Sequence, residues 1–202
     1  MKVFQKIFFL VGFIVCIFSF FSCTTDVKVF FHDDGSADIE LDCGSGKAFS
    51  KLILTASGGD ELLNPAEIKV DLEKEGFTNV SVESTGELEY KIKMTDEKCS
   101  TYLFNSGILS KSSFYPSAEN LLNFYNAVDS QTQAIFDIFM APAVTGEEMS
   151  LDSYVNLISI VYGKDAGSEL KNSYVNVTIC DDRNNKNSIS FLMADILCGN
   201  IK

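Results

Sequence analysis

The sequence predicts an α+β domain: an antiparallel sheet of three hairpins, with a helix between the first two and a helix pair before the last. Three observations lead there. Apolar residues recur at every second position in three places, each around a polar turn. Two segments carry apolar stripes at helical spacing with recognisable start and stop residues. The two patterns occur in separate blocks rather than strand by helix, which favours an antiparallel sheet with helices on one side.

In the first hairpin Val27, Val29 and Phe31 alternate with Lys28, Phe30 and His32. Ala37, Ile39 and Leu41 alternate with Asp38, Glu40 and Asp42, and Asp33-Asp34-Gly35-Ser36 lies between the runs. Asp-Gly between two such runs is a strong hairpin signal, because glycine tolerates positive φ. Residues 44–63 are ambiguous: Ala48–Thr55 suits a short strand or a turn of helix, and Ser57-Gly58-Gly59 a loop. The next helix is well punctuated. Asn64 can cap it, Pro65 suits the first position, Glu67 falls at the capping-box place, Ile68 and Leu72 share a face, and Gly76 stops it with Phe77 packing back.

Asn79–Ser84 and Glu87–Thr95 read as the second hairpin with Thr85-Gly86 as its turn, Leu88, Tyr90, Ile92 and Met94 pointing one way. A helical block follows over about 115–163. Its first stripe is Leu121, Tyr125, Val128, Ile135 and Phe139, interrupted by Thr132 and ending before Pro142. Its second helix is expected to start at Thr145 with Glu148 completing a capping box, to carry Leu151, Tyr154, Val155, Ile158, Val161 and Tyr162, and to end at Gly163. The last hairpin pairs Tyr174–Cys180 with Ser188–Ala194 around the polar tip 181–187.

The chain of 202 residues opens with Lys2 and Lys6, then runs apolar from Ile7 to Phe21. That run is shorter than the roughly 20 residues that span a bilayer as a helix. A basic start, a short apolar stretch and a small residue before a break describe a secretory signal peptide over 1–22. Cleavage there leaves 180 residues, 202 less 22, as one ectodomain over 23–202. The net charge of −12 becomes −14 once the two lysines are removed. So acidic a body is expected to avoid nucleic acid and anionic lipid head groups.

Ser22-Cys23 resembles the lipobox of bacterial lipoproteins; the family's usual Leu and Ala or Ser, three and two places before the cysteine, are Phe20 and Phe21 here. The resemblance implies that the Cys23 thiol receives a diacylglyceryl group, that the signal is cut before it, and that the new amine is acylated. Two or more acyl chains give stable anchoring where one is marginal, at about 0.8 kcal/mol per buried CH₂. An uncleaved membrane helix and an ordinary signal with an incidental cysteine are the alternatives. Thr24–Asp26 would be a very short tether. A second likeness covers roughly 27–95: the strand pair around Asp-Gly-Ser, the helix ending in EKEGF and the hairpin VSVESTGELEYKIKM resemble LppM-like lipoprotein domains. That layout implies a lipoprotein ectodomain on an antiparallel sheet, with an apolar groove as one option.

Cys43, Cys99, Cys180 and Cys198 allow up to two disulfides in an exported chain, or four buried thiols. No Cys-x₂-Cys occurs and His32 is the only histidine, so no zinc site is expected. No Gly-x-Ser-x-Gly motif occurs, and any His-dependent nucleophile must use His32, which reads as an exposed residue flanking a turn. Gly44-Ser45-Gly46-Lys47 looks like the end of a phosphate loop, but Leu41 stands where the earlier glycine is needed and Ala48 follows the lysine. Asp33, Asp34, Asp38, Glu40 and Asp42 could suggest calcium. However, Asp38, Glu40 and Asp42 step by about 7 Å along one strand face, too far apart to share an ion as neighbours. A solvated face is expected there, and at Asp181-Asp182. The function expected is therefore a non-enzymatic, membrane-anchored envelope lipoprotein with a binding or structural role, without cofactor or metal. It would face the periplasm or cell exterior and engage another envelope protein; the alternative is a carrier or sensor of an apolar ligand held between helix pair and sheet.

Overall fold

A computed structural model of the chain describes residues 24–56, 64–86, 89–127, 133, 136–137 and 139–201. Its strands are β1 (Thr24–Phe31), β2 (Ala37–Gly44), β3 (Thr78–Gly86), β4 (Glu89–Asp96), β5 (Tyr174–Asp181) and β6 (Lys186–Leu192). Its helices are α1 (Lys47–Ala56), α2 (Pro65–Lys74), α3 (Tyr102–Asn105), α4 (Ala118–Ala127), α5 (Pro142–Thr145), α6 (Leu151–Tyr162), α7 (Lys164–Asn172) and α8 (Met193–Cys198). The strands form one six-stranded sheet in the order β3-β4-β2-β1-β5-β6. The α+β class stands as expected, but the sheet is mixed rather than wholly antiparallel. Each hairpin pairs antiparallel, as do β2 and β4, whereas β1 and β5 run parallel from Thr24↔Tyr174 to Phe31↔Asp181. The helices between β4 and β5 return the chain to the end of the sheet where β1 begins, so β5 enters in the direction of β1.

Register and burial agree across the four central strands. Val27, Val29 and Phe31 stand opposite Leu41, Ile39 and Ala37, and Val27 and Val29 also flank Val177 and Ile179. Leu41 and Ile39 stand opposite Ile92 and Met94. All of these side chains are buried, so one face of the sheet meets the helices in one contiguous core and the other stays open. Phe49, Ile68, Leu72, Phe124, Phe139, Tyr154, Ile158 and Leu170 supply the helical side. The Tyr154 hydroxyl donates to the Phe139 carbonyl at 2.8 Å, which satisfies the one polar atom of that buried ring.

The α2 punctuation is as the sequence suggests: Asn64 Oδ1 accepts from the Ala66 amide at 2.9 Å, and Gly76 takes φ +100° so that the Phe77 amide reaches the Leu72 carbonyl. Four boundaries move. The expected tether Thr24–Asp26 is the first part of β1. Thr85 and Gly86 finish β3 instead of forming its turn, since Gly86 pairs with Glu89; Leu88 lies outside the described residues. Thr145 does not open the long helix. It closes the short α5, which Gly146 ends at φ +78°, and Ser150 caps α6 instead by accepting from the Ser153 amide. Met193 and Ala194 leave the last strand to start α8, where they are buried with Ile196, Leu197 and Cys198. Val128, Thr132 and Ile135 lie outside the described residues, and α4 buries Leu121 and Phe124.

Among the described residues the closely packed helix pair is α6 with α7, joined at Gly163; the helix expected to run up to Pro142 lies in part outside the described residues. Their approach needs Gly167. A Cβ there would overlap the Ser159 hydroxyl and sit 3.0 Å from the Val155 carbonyl oxygen. Gly167→Ala is therefore expected to lower stability by about 1–3 kcal/mol in urea unfolding, the usual cost of overpacking. Combining it with Ser159→Ala should recover part of the loss. Full stability in the single variant would show that the two helices are not so close.

Candidate functional site

The open face of the sheet and the end that bears His32 hold most of the chemistry the sequence singled out. Three rows of side chains cross the open face. One runs Cys180, Phe30, Asp38, Thr95; the next Ser188, Thr178, Lys28, Glu40, Lys93; the third Ser190, Asn176, Asp26, Asp42, Lys91. Asp38, Glu40 and Asp42 are thus on one outward face, as the alternation requires, but each has a partner across the sheet. Lys93 Nζ reaches Glu40 at 2.7 Å and Lys91 Nζ reaches Asp42 at 3.4 Å. The hydrogen bond from Lys93 holds the Glu40 carboxyl below its ordinary range. Asp26 and Asp42 stand directly opposite, an unfavourable like-charge pair. Asn176 Nδ2 relieves it by donating to Asp26 at 2.9 Å, and Ser190 donates in turn to Asn176 Oδ1 at 2.7 Å.

His32 lies just past β1 and flanks the turn, its side chain 31% exposed. The turn itself places it: Gly35 takes φ +93° and donates its amide to the His32 carbonyl, while Asp34 accepts the amide and hydroxyl of Ser36. The imidazole then sits between two carboxylates. Its Nε2 is 3.0 Å from Asp38 Oδ2 and its Nδ1 is 3.6 Å from Asp182 Oδ1. Asp182 also accepts the Asp33 amide at 2.6 Å, and Asp38 accepts the Thr95 hydroxyl at 2.7 Å. Both ring nitrogens face acceptors, which only the doubly protonated imidazolium can serve with N–H groups. The hydrogen bond to Asp38 accordingly raises the His32 pKa above its ordinary 6.5, with the charges of Asp38 and Asp182 adding to it against the opposing effect of desolvation. Thr95, then His32, lower that of Asp38. Nε2 is hydrogen-bonded to Asp38 and Nδ1 lies at ion-pair distance from Asp182, an arrangement that clamps the first hairpin to the tip of the last.

The glycine-rich stretch at Gly44–Lys47 also resolves into a structural role. It does lead into a helix N-terminus, that of α1, where a phosphate would meet backbone amides. Those amides already have an anion of the protein's own. Glu169 from α7 accepts the Ala48 amide at 2.8 Å and the Phe49 amide at 3.2 Å. A Cβ at Gly46 would come within 2.5 Å of the same carboxylate, so the glycine gives it room.

Cys43, Cys99, Cys180 and Cys198 are thiols in the structure, Cys43 and Cys198 buried and the other two half-buried. Burial pushes the Cys198 thiol up to about 11, and raises that of Cys99, whose Sγ donates to the Gly35 carbonyl at 3.2 Å. Such thiols are poor nucleophiles at neutral pH. Cys23 lies outside the described residues, which begin at its neighbour Thr24. Among the described residues no group of three or more His, Cys, Asp or Glu is placed to hold a metal ion, and no helix is long and apolar enough to cross a membrane. Asp182, Thr95 and Glu169 are the residues that sequence reasoning missed as partners. Each meets its partner across a long stretch of chain, and no local spacing announces it.

Fold and site together define an α+β domain with one covered sheet face, one polar open face and a His–carboxylate clamp at one end. No protein-family model, curated protein or solved structure matches the chain.

The clamp has a defined pH window. Asp38, with its lowered pKa, contributes above the ordinary carboxylate value and loses its contribution as pH falls through the folded one. His32, with its raised pKa, contributes fully below 6.5 and loses its contribution as pH rises through the folded value. The stability difference between the protein and His32→Gln is therefore expected to be largest at mildly acidic pH and to shrink on both sides, with a maximum under about 1 kcal/mol for so exposed a pair. Denaturant titrations across pH check this; a difference that grows above neutrality contradicts it. Separately, Glu169→Ala is expected to cost about 0.5–2 kcal/mol, as for loss of a helix cap, and to deprotect the first amides of α1 in hydrogen exchange.

Proposed function

We propose that the chain is a membrane-anchored lipoprotein of a bacterial cell envelope, acylated at Cys23, whose α+β domain acts without catalysis as a binding or structural module facing the periplasm or cell exterior. The observation that carries this is the junction at 22–24. A basic, apolar leader ends at Ser22-Cys23, and strand β1 begins at the very next residue. Acylation there would hold the folded domain against the bilayer with no intervening linker. The surface supports a module that works through contacts: an open sheet face of paired charges and hydroxyls, and a histidine whose ring is held by two acids. The partner in this reading is another envelope component, and the mature charge of −14, from −12 with Lys2 and Lys6 removed, disfavours nucleic acid.

Metabolic labelling with a radioactive fatty acid tests the anchor. The full chain should take up label and fractionate with membranes. Cys23→Ser should abolish the label and leave the leader uncut. Label that persists in Cys23→Ser would refute acylation at that thiol.

A further inference from the structure

We infer that the end of the sheet where β1 begins is a lipid-contact surface, with Tyr174 and Leu192 seated in the head-group layer and the His32 end held away from the bilayer. The inference rests on the membrane attachment proposed above, and it holds whether residue 23 carries acyl chains or the apolar leader stays in place.

The first argument is where the chain outside the described region joins the fold. Residues 7–21 are apolar, and they precede Thr24, the first residue of a strand in the interior of the sheet. One extended residue covers at most about 3.6 Å, so Thr24 must lie at the membrane surface. The second is what surrounds Thr24. In register with it on the open face stands Tyr174, and beside Tyr174 stands Leu192. Tyr174 is 42% exposed, an aromatic with a polar tip at the point where the greasy leader arrives. Tyrosine is enriched at the membrane interface for that combination.

The third argument is charge. Charges of both signs meet at this end: Lys47 at the start of α1, Lys91 on β4 and Lys171 near the end of α7, against Glu89 at the start of β4, the facing pair Asp26 and Asp42, and Asp195 in α8. The far end gathers Asp33, Asp34, Asp38, Asp181 and Asp182 around the single histidine. With β1 upright, that acidic end stands roughly 25 Å out, at 3.3 Å per residue. This is about three Debye lengths at physiological salt, so anionic lipids barely repel it. Laying the sheet flat would forfeit that separation.

The chain has no tryptophan, so single Tyr174→Trp, Phe30→Trp and Ile160→Trp variants of the full chain each carry one reporter. Phe30 lies on the same open face near the acidic end, and Ile160 on α6, at 73% exposure, marks the competing apolar face. The acylated variants are reconstituted in vesicles of phosphatidylcholine with a minority of phosphatidylglycerol, with and without brominated acyl chains. Tyr174→Trp should shift to the blue and be quenched several-fold more than Phe30→Trp or Ile160→Trp. Vesicle-bound chain whose Tyr174→Trp emits as in water, or is quenched no more than Phe30→Trp, overturns the orientation alone. Stronger quenching of Ile160→Trp overturns it in favour of a domain lying on α6. Chain that carries no acyl mass and fails to sediment with vesicles overturns the attachment, and the orientation with it.

Discussion

The parallel pairing of β1 with β5 is the constraint on which the rest of the structure depends. It joins residues 150 positions apart, as the Asp26–Asn176 hydrogen bond shows. Without it the protein would be two half-sheets, one of β3, β4, β2 and β1 and one of β5 and β6. Closing so long a loop costs roughly 4 kcal/mol of chain entropy. Against that, the joint sets Val27, Val29 and Phe31 beside Val175, Val177 and Ile179 on the covered, buried face. Burial holds the joint in one register, because a slip by one residue would turn one of the two apolar sets to the open face.

The same joint gives the domain its two unlike ends. Since β1 and β5 run the same way, their starts, Thr24 and Tyr174, share one end, and the residues after them, His32 and Asp182, share the other. A purely antiparallel arrangement would have mixed these. The histidine clamp is thus a consequence of the parallel joint as well as a reinforcement of it: it fastens the joint where the strands run out.

Much of this was legible residue by residue, and the limits have physical causes. Period-two alternation identified the buried face of β1, β2, β4 and β5 because one face is covered and the other wet. Asn64, Pro65, Gly76 and Phe77 marked α2 because its caps are local. The helix α7 escaped notice: its sequence KDAGSELKN offers only Ala166 and Leu170 as strongly buried side chains, and Gly167 argues against a helix. That glycine is present for the close approach to α6, a tertiary reason invisible along the chain. The strand Ser188–Ala194 was drawn too long because α8 is apolar from its first residue, so the alternation does not break where the strand ends. Neither the parallel joint nor the partnership of His32 with Asp182 leaves any trace in local spacing.

The residue types that carry chemistry elsewhere are here bound to the protein's own backbone and charges. Glu169 occupies the anion position at the start of α1. Asp96 is buried and accepts the amides of Lys98, Ser100 and Thr101, shaping the loop that leads to α3. Asp181 accepts the amides of Arg183 and Asn185 and so builds the β5–β6 tip, which in turn presents Asp182 to His32. Acids that look like candidates for metal or acid–base work in the sequence are, in three dimensions, the fixings of turns and caps. The fold leaves surfaces exposed: the open sheet face with its ladders of opposite charge, the apolar outer side of α6 at Ile160 and Val161, and Tyr174 at the end of the sheet where β1 begins.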